Sequence, residues 1–185
     1  MKNYMRCKVC GFVGDEKEMK DFCPACGVPK AAFENYQYNI SDKRVKILGF
    51  HLHPILVHFP QSIAFLSLIF IIIAFTTKGA LNANMITIEK LLSAILPVSV
   101  LISAAAGFFD AKLRFKKKFG PRIKQKIIIG AVFFVLSAAL AVMINTEAFD
   151  AGGKVLIIGL SVMCFGCSGL LGKLGGTLLD AKLPG

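Results

Sequence analysis

The 185-residue chain is short of charge. Only 18% of its residues are Asp, Glu, Lys or Arg, against 55% hydrophobic, and its mean hydropathy is +0.65. Ordinary soluble domains carry about 25% charge and about 45–50% apolar residues, so this balance disfavours a purely soluble protein and excludes disorder. The shortage is local. Stretches 54–75, 91–109, 127–144 and 155–171 contain no Lys, Arg, Asp or Glu, and the last extends to 179 if Lys173 snorkels. Each covers the roughly 17–25 residues that cross a hydrocarbon core about 30 Å thick, and soluble helices rarely stay apolar on every face for so long. Four transmembrane helices follow. No apolar segment lies within residues 1–40, so a cleavable signal sequence is not expected there.

Acidic residues are also few, 11 against 22 Lys and Arg, for a net charge of +11. Of the 22 cations, 19 lie in the N-terminal segment, the 110–126 loop and the C-terminal tail. The positive-inside rule therefore predicts that both termini and that loop are cytoplasmic, in a prokaryotic plasma membrane. The cluster Lys112, Arg114, Lys116, Lys117, Lys118, Arg122, Lys124 and Lys126 reads as a topology signal and a contact for anionic lipid heads. A nucleic-acid partner is not expected, since no aromatic-interleaved basic fold accompanies the cluster.

Six cysteines fall into two groups. Cys7-Lys8-Val9-Cys10-Gly11 and Cys23-Pro24-Ala25-Cys26-Gly27 are two C-x-x-C-G knuckles, whose four thiolates can close tetrahedrally on one metal. Spacing alone leaves iron and zinc open. Residues 4–35, with the ending C-P-x-C-G-x-P-K-x-x-F-E from Cys23 to Glu34, resemble the rubredoxin-like domain of rubrerythrins. The resemblance implies a single iron, Fe(Cys)₄, cycling between ferric and ferrous states, with structural zinc as the alternative. The second group, Cys164-Phe165-Gly166-Cys167, lies deep in the fourth span, where a small thiol packs well and a thiolate is costly. Residues 36–50, with Tyr36 and Tyr38, read as a polar linker to a membrane domain at 51–185.

All three histidines fall within eight residues, in His51-Leu52-His53-Pro54-Ile55-Leu56-Val57-His58-Phe59-Pro60. Pro54 suits the first position of a helix. Pro60 is expected inside that helix, where it frees the carbonyl of Leu56 and bends the segment. An imidazole at His58, one turn into the apolar zone, is expensive unless it is paired or ligates something. The string H-P-x-x-V-H-F-P, with Gly107-Phe108-Phe109-Asp110 and Gly175-Gly176, resembles an uncharacterised family of four-span bacterial membrane proteins. That resemblance implies haem binding, with His53 and His58 as candidate ligands and Asp110 as a carboxylate able to orient an imidazole. The two histidines are five residues apart, about 140° around a helix, and cannot clamp one iron from both sides. A second ligand would come from a Met or Cys or from another protomer, or the haem would be five-coordinate. The alternative is a hydrogen bond from His58 to Asp110 or to a freed carbonyl. Helix four is rich in small residues, Gly159, Gly166, Gly169, Gly172, Gly175 and Gly176 among them, which predicts close helix packing or a slot for a flat cofactor.

The fold class expected is mainly α: a four-helix transmembrane bundle carrying a small rubredoxin-like metal-binding head at its N-terminus. The sequence holds no nucleophile–base pair and no phosphate-cradling loop, so an electron carrier is expected in preference to a substrate-converting enzyme. Its head would exchange electrons with a soluble redox donor or acceptor and pass them to a b-type haem, a quinone or a partner, in a homodimer or a larger membrane complex. The competing reading is a non-redox membrane protein whose zinc knuckle and helices mediate partner assembly. A transporter is disfavoured because the four uncharged stretches place no charged residue at mid-membrane.

Overall fold

The computed structural model describes residues 3–17, 21–37, 41–115, 121–147 and 149–179. Tyr38 and Lys116, Lys117 and Lys118 of the basic loop lie outside the described residues. The chain divides into two units, one of residues 1–50 with the C-terminal tail and one of His51–Gly175.

In the first unit, β1 (Tyr4–Cys7) is the centre of a three-stranded antiparallel sheet between β2 (Val13–Asp15) and β3 (Phe33–Tyr36). Register pairs Met5 with Gly14 on one side and with Asn35 on the other. Its core is three buried residues, Cys7, Cys23 and Phe33, flanked by Met5, Val9, Cys10 and Val28. A core this small does not offset the conformational entropy of ordering the chain, so the cysteines must contribute by binding. The linker is partly helical, since α1 spans Asp42–Leu48.

The second unit is α2 (Leu52–Leu56), α3 (His58–Thr76), α4 (Gly79–Phe115), α5 (Pro121–Asn145) and α6 (Ala151–Leu179), the last helix running into the tail. Four helices are long and apolar enough to cross a membrane. All four supply the core: Ala64 and Ile71 from α3, Leu96 and Val100 from α4, Phe133, Leu140 and Ile144 from α5, Ile157 and Cys164 from α6. Polarity is inverted relative to a water-soluble bundle. Leu91, Val98, Ile128, Val135, Val142 and Leu156 are exposed, whereas Ser67, Ser93, Ser103, Ser137, Ser161 and Ser168 are buried. Lipid welcomes the former, and small hydroxyls inside let helices approach. Several are satisfied within their own helix, as when Ser137 donates to the Phe134 carbonyl and Ser161 to that of Ile157.

Two expectations are corrected here. The segment 76–90, which its charges mark as a loop between the first two apolar stretches, is nearly all helix, because α4 begins at Gly79, and at about 1.5 Å per residue its 37 residues exceed the hydrocarbon core. Charge ended the apolar stretch at Lys90 but did not end the helix, so Glu89 belongs to the bundle. Pro60 is not in a helix interior either. The helix breaks at Val57, and Pro60 lies in the first turn of α3, where a missing N–H costs little. The Leu56 carbonyl is nonetheless freed, and the Ser103 hydroxyl donates to it at 2.9 Å.

Candidate metal centre and the histidine end of the bundle

The two knuckles of the head are built alike. The N–H of Gly11 donates to the Cys7 carbonyl at 2.9 Å and that of Gly27 to the Cys23 carbonyl at 2.8 Å. Both turns close through Gly11 at φ 76° and Gly27 at φ 75°, the left-handed conformation that glycine adopts without a Cβ penalty. The N–H groups of Cys7 and Cys23 each donate at 2.8 Å across the turn, to Phe12 and Val28. Glycine after each second cysteine is therefore a backbone requirement of the knuckle.

This duplication brings the four sulfurs within 4.8 Å of one another. Cys7 Sγ lies 3.8 Å from Cys26 Sγ, and Cys10 Sγ lies 3.7 Å from Cys23 Sγ. Metal–sulfur bonds of about 2.3 Å in a tetrahedron give sulfur–sulfur edges of about 3.8 Å, so the thiols already stand at ligand spacing. The cluster is a four-cysteine metal-binding site, and its donor set suits iron or zinc. Cys7 and Cys23 are buried, Cys10 is half-buried and Cys26 is exposed, so one edge of the centre reaches the surface.

The thiols differ electrostatically. The N–H of Cys10 lowers the Cys7 thiol, burial opposes it, and the Val9 N–H with the neighbouring sulfurs brings it to about 7. At Cys26 the Val28 N–H also lowers the thiol, but desolvation and the sulfurs of Cys10, Cys23 and Cys7 outweigh it and push it up to about 12. One thiol ionises readily and the negative charge then blocks another. A cation at the centre removes that conflict.

The histidines are dispersed. His51, at φ 49°, precedes α2 and is exposed. His53, half-buried in α2, donates from Nδ1 to the Ser103 carbonyl of α4 at 3.2 Å. Its ring occupies the space over Gly107, where a Cβ would fall 2.7 Å from Cε1. His58 is exposed at the first turn of α3 and, among the described residues, makes no hydrogen bond. It is thus His53, and not the expected His58, that engages a backbone carbonyl, and the freed Leu56 carbonyl goes to Ser103. Asp110 is half-buried in α4 and acts electrostatically on Lys126 of α5, whose Nζ would lie 3.6 Å from a Cβ at Gly175. Gln61 Nε2 donates to the Ser168 carbonyl at 3.3 Å and fills the space a side chain at Gly172 would need.

The other α6 glycines depart from the expectation of close packing. A Cβ at Gly159, Gly166, Gly169 or Gly176 would meet nothing within 4 Å. Cys164 is fully buried in the core cluster, as expected of a packing thiol.

Sequence reasoning missed Glu89. It is 2% exposed inside the bundle, with the Ser67 hydroxyl donating to Oε1. The signal was present: Glu89, Ser93, Leu96, Val100, Ser103, Gly107 and Asp110 recur at alternating spacings of four and three, one face of a helix.

Residues 6–34 match the family model described as rubrerythrin, rubredoxin-like domain, and residues 49–181 match that described as predicted membrane protein (DUF2231). No curated protein and no solved structure matches the chain. With most of its length covered by the second match, the chain belongs to the DUF2231 family of predicted membrane proteins and carries a rubrerythrin-type rubredoxin-like domain at its N-terminus.

Proposed function

We propose that the protein is a membrane-bound electron carrier, in which a cytosolic Fe(Cys)₄ head takes single electrons from a soluble partner and passes them to an acceptor at the His53 end of the bundle. The observation that carries this reading is the set of four sulfurs at 3.7–3.8 Å, in a rubredoxin-like domain joined to a four-span membrane family. Iron in such a site supplies a one-electron couple whose potential is set by hydrogen bonds to sulfur and by exposure. In this chain the N–H groups around Cys7 and Cys26 would stabilise thiolate charge, and the exposed Cys26 edge offers a short path to a docked partner. Cys7, Cys10, Cys23 and Cys26 are the metal ligands in this reading.

The acceptor that the family resemblance favours is a b-type haem. His58, exposed and without a hydrogen bond among the described residues, is available to a ligand arriving from outside the bundle. His53 has the Nδ1–H to carbonyl bond that commonly orients a ligating imidazole through Nε2. Asp110, engaged with Lys126, would orient an imidazole only within this haem reading. A homodimer could bring two His58 side chains to one haem. The charge distribution, with 19 of 22 cations on one side, supports cytoplasmic termini in a prokaryotic plasma membrane.

The competing reading keeps zinc in the head and gives the helices an assembly role, because the sulfur spacing suits either metal. Metal analysis and the optical spectrum of the purified full-length protein separate the two. Stoichiometric iron, with a thiolate-to-iron band bleached by dithionite, supports the carrier; stoichiometric zinc with neither that band nor a Soret band overturns it.

A further inference from the structure

The polar group least accounted for lies at the other end of the bundle from His53. Glu89 is the one acidic residue among the described residues buried inside the helices. Ser67 donates to its Oε1, and its Oε2, with no surface exposed, has no hydrogen-bond partner. Beside it is a cavity of about 10 Å³ walled by Ile71 and Phe75 of α3, Ile86 of α4, Ile144 of α5, and Phe149 and Ile157. This has room for about one water and offers it no polar partner besides the carboxyl.

Among the described residues, no cation pairs with an ionised carboxylate here. Lys90, the next residue in α4, is paired at 2.5 Å with Glu147. Lys154 of α6 lies 5.6 Å from the centroid of the Phe75 ring and does not line the cavity. Asp150 accepts from the Gly153 N–H, Asn145 of α5 donates to Ser93 Oγ one turn along α4, and the side chains that α3 and α5 supply to the cavity are apolar. An anion with one donor in an apolar, lipid-embedded site is costly, whereas the neutral acid needs no counter-charge. A metal cation is a poor occupant as well, since Glu89 is the one cavity-lining residue with a side-chain oxygen.

Beyond Phe75 the surroundings change. A second cavity, of about 330 Å³, is lined by Thr77, Lys78, Asn82 and Lys154, and shares Ala74 and Phe75 with the first. Phe75 is thus common to the cavity beside the carboxyl and to a basic vestibule, and it is held edge-on against Phe149 with centroids 6.1 Å apart. With the rings packed, Glu89 is sealed among isoleucines. Displacing Phe75 would join the two cavities and open the carboxyl toward the vestibule that Lys78 and Lys154 line, conditions that favour the anion.

We propose that Glu89 is an intramembrane proton-binding site, holding a proton while Phe75 and Phe149 are packed and exchanging it with the Lys78 and Lys154 vestibule when they part. The ligand is a proton, and the site is independent of the metal in the head.

The test uses the full-length protein in detergent micelles and the hydrophobic reagent dicyclohexylcarbodiimide, which adds to protonated carboxyls in apolar surroundings. Peptide mass spectrometry then gives the modified residue. At neutral pH, Glu89 is expected to be labelled at least tenfold faster than the exposed Glu147, with labelling declining as the pH is raised. Phe75→Ala is expected to move that decline to lower pH by opening the carboxyl to the vestibule, and Glu89→Gln to lose the label. Labelling of the wild-type protein decides the matter even if a variant fails to fold. Glu89 labelled no faster than Glu147, or labelled equally at neutral and alkaline pH, overturns the proposal.

Discussion

The ring of His53 occupies the space that a side chain at Gly107 would take: a Cβ there would lie 2.7 Å from Cε1 and 3.0 Å from Nδ1. Two sequence signatures 54 positions apart, the histidine-proline opening of α2 and the glycine near the end of α4, are thereby one packing unit. The Nδ1 bond to the Ser103 carbonyl, one turn before Gly107, fixes the ring in that place. Gly107→Ala must displace the imidazole or the helix. Overpacking of this kind costs about 1–3 kcal/mol, so the bundle's thermal midpoint in detergent should fall. Adding His53→Ala should recover most of the loss, because the clash requires both side chains, and additive losses would show that the contact is not the cause.

His58 and His53 are expected to separate when pigment and stability are measured together. If haem is the acceptor, His58→Ala should remove most of the Soret absorbance while leaving the helical content intact. His53→Ala should lower stability as well as any pigment its Nε2 holds, since it also removes the bond to Ser103. Unchanged haem content in His58→Ala would sink its assignment as a ligand.

Removing the metal should unfold the head and spare the membrane unit. The head's buried core is Cys7, Cys23 and Phe33 alone, whereas metal binding to comparable small sites is worth about 10–16 kcal/mol. A strong chelator should therefore expose Arg6, Lys8 and Lys30 to trypsin, with little change in the helical circular dichroism that the bundle dominates. Cys7→Ser is expected to act like chelation. Acid should do the same, since four thiolates are needed and protons compete for them: retention falls as the pH is lowered, Cys26 being the thiol most easily reprotonated. A head that resists trypsin after metal loss would refute this dependence.

Much of this architecture was legible in the residues. The absence of charge marked four helices because lipid tolerates no unpaired charge on any face, and the doubled knuckle marked the metal site because tetrahedral ligation requires that spacing. Charge was a poor guide to where helices end. It assigned Glu89 to a loop, although Glu89 lies in phase with Ser93, Leu96 and Val100 on the buried face of α4. Nor does glycine content reveal what a glycine faces. Gly107 meets an imidazole and Gly172 an amide, while Gly159 and Gly166 open onto nothing, and only the packing of neighbouring helices distinguishes them.

Pro60 and Ser103 provide a test of how the break at Val57 is tolerated in an apolar setting. Proline at 60 cannot donate to the carbonyl of Leu56, and Ser103 Oγ does so from α4 at 2.9 Å. Because Val57 retains right-handed helical angles, φ −68° and ψ −19°, an alanine at 60 could restore the ordinary backbone bond without moving the chain. Ser103→Ala alone should orphan that carbonyl and cost about 0.6–1.7 kcal/mol, the range for side-chain hydrogen bonds within membranes. In a Pro60→Ala background the same substitution should cost much less, since the carbonyl then has an N–H partner. A double-mutant cycle read by unfolding in detergent measures the difference. Equal costs of Ser103→Ala in the two backgrounds would show that the hydroxyl contributes through packing and not through the freed carbonyl.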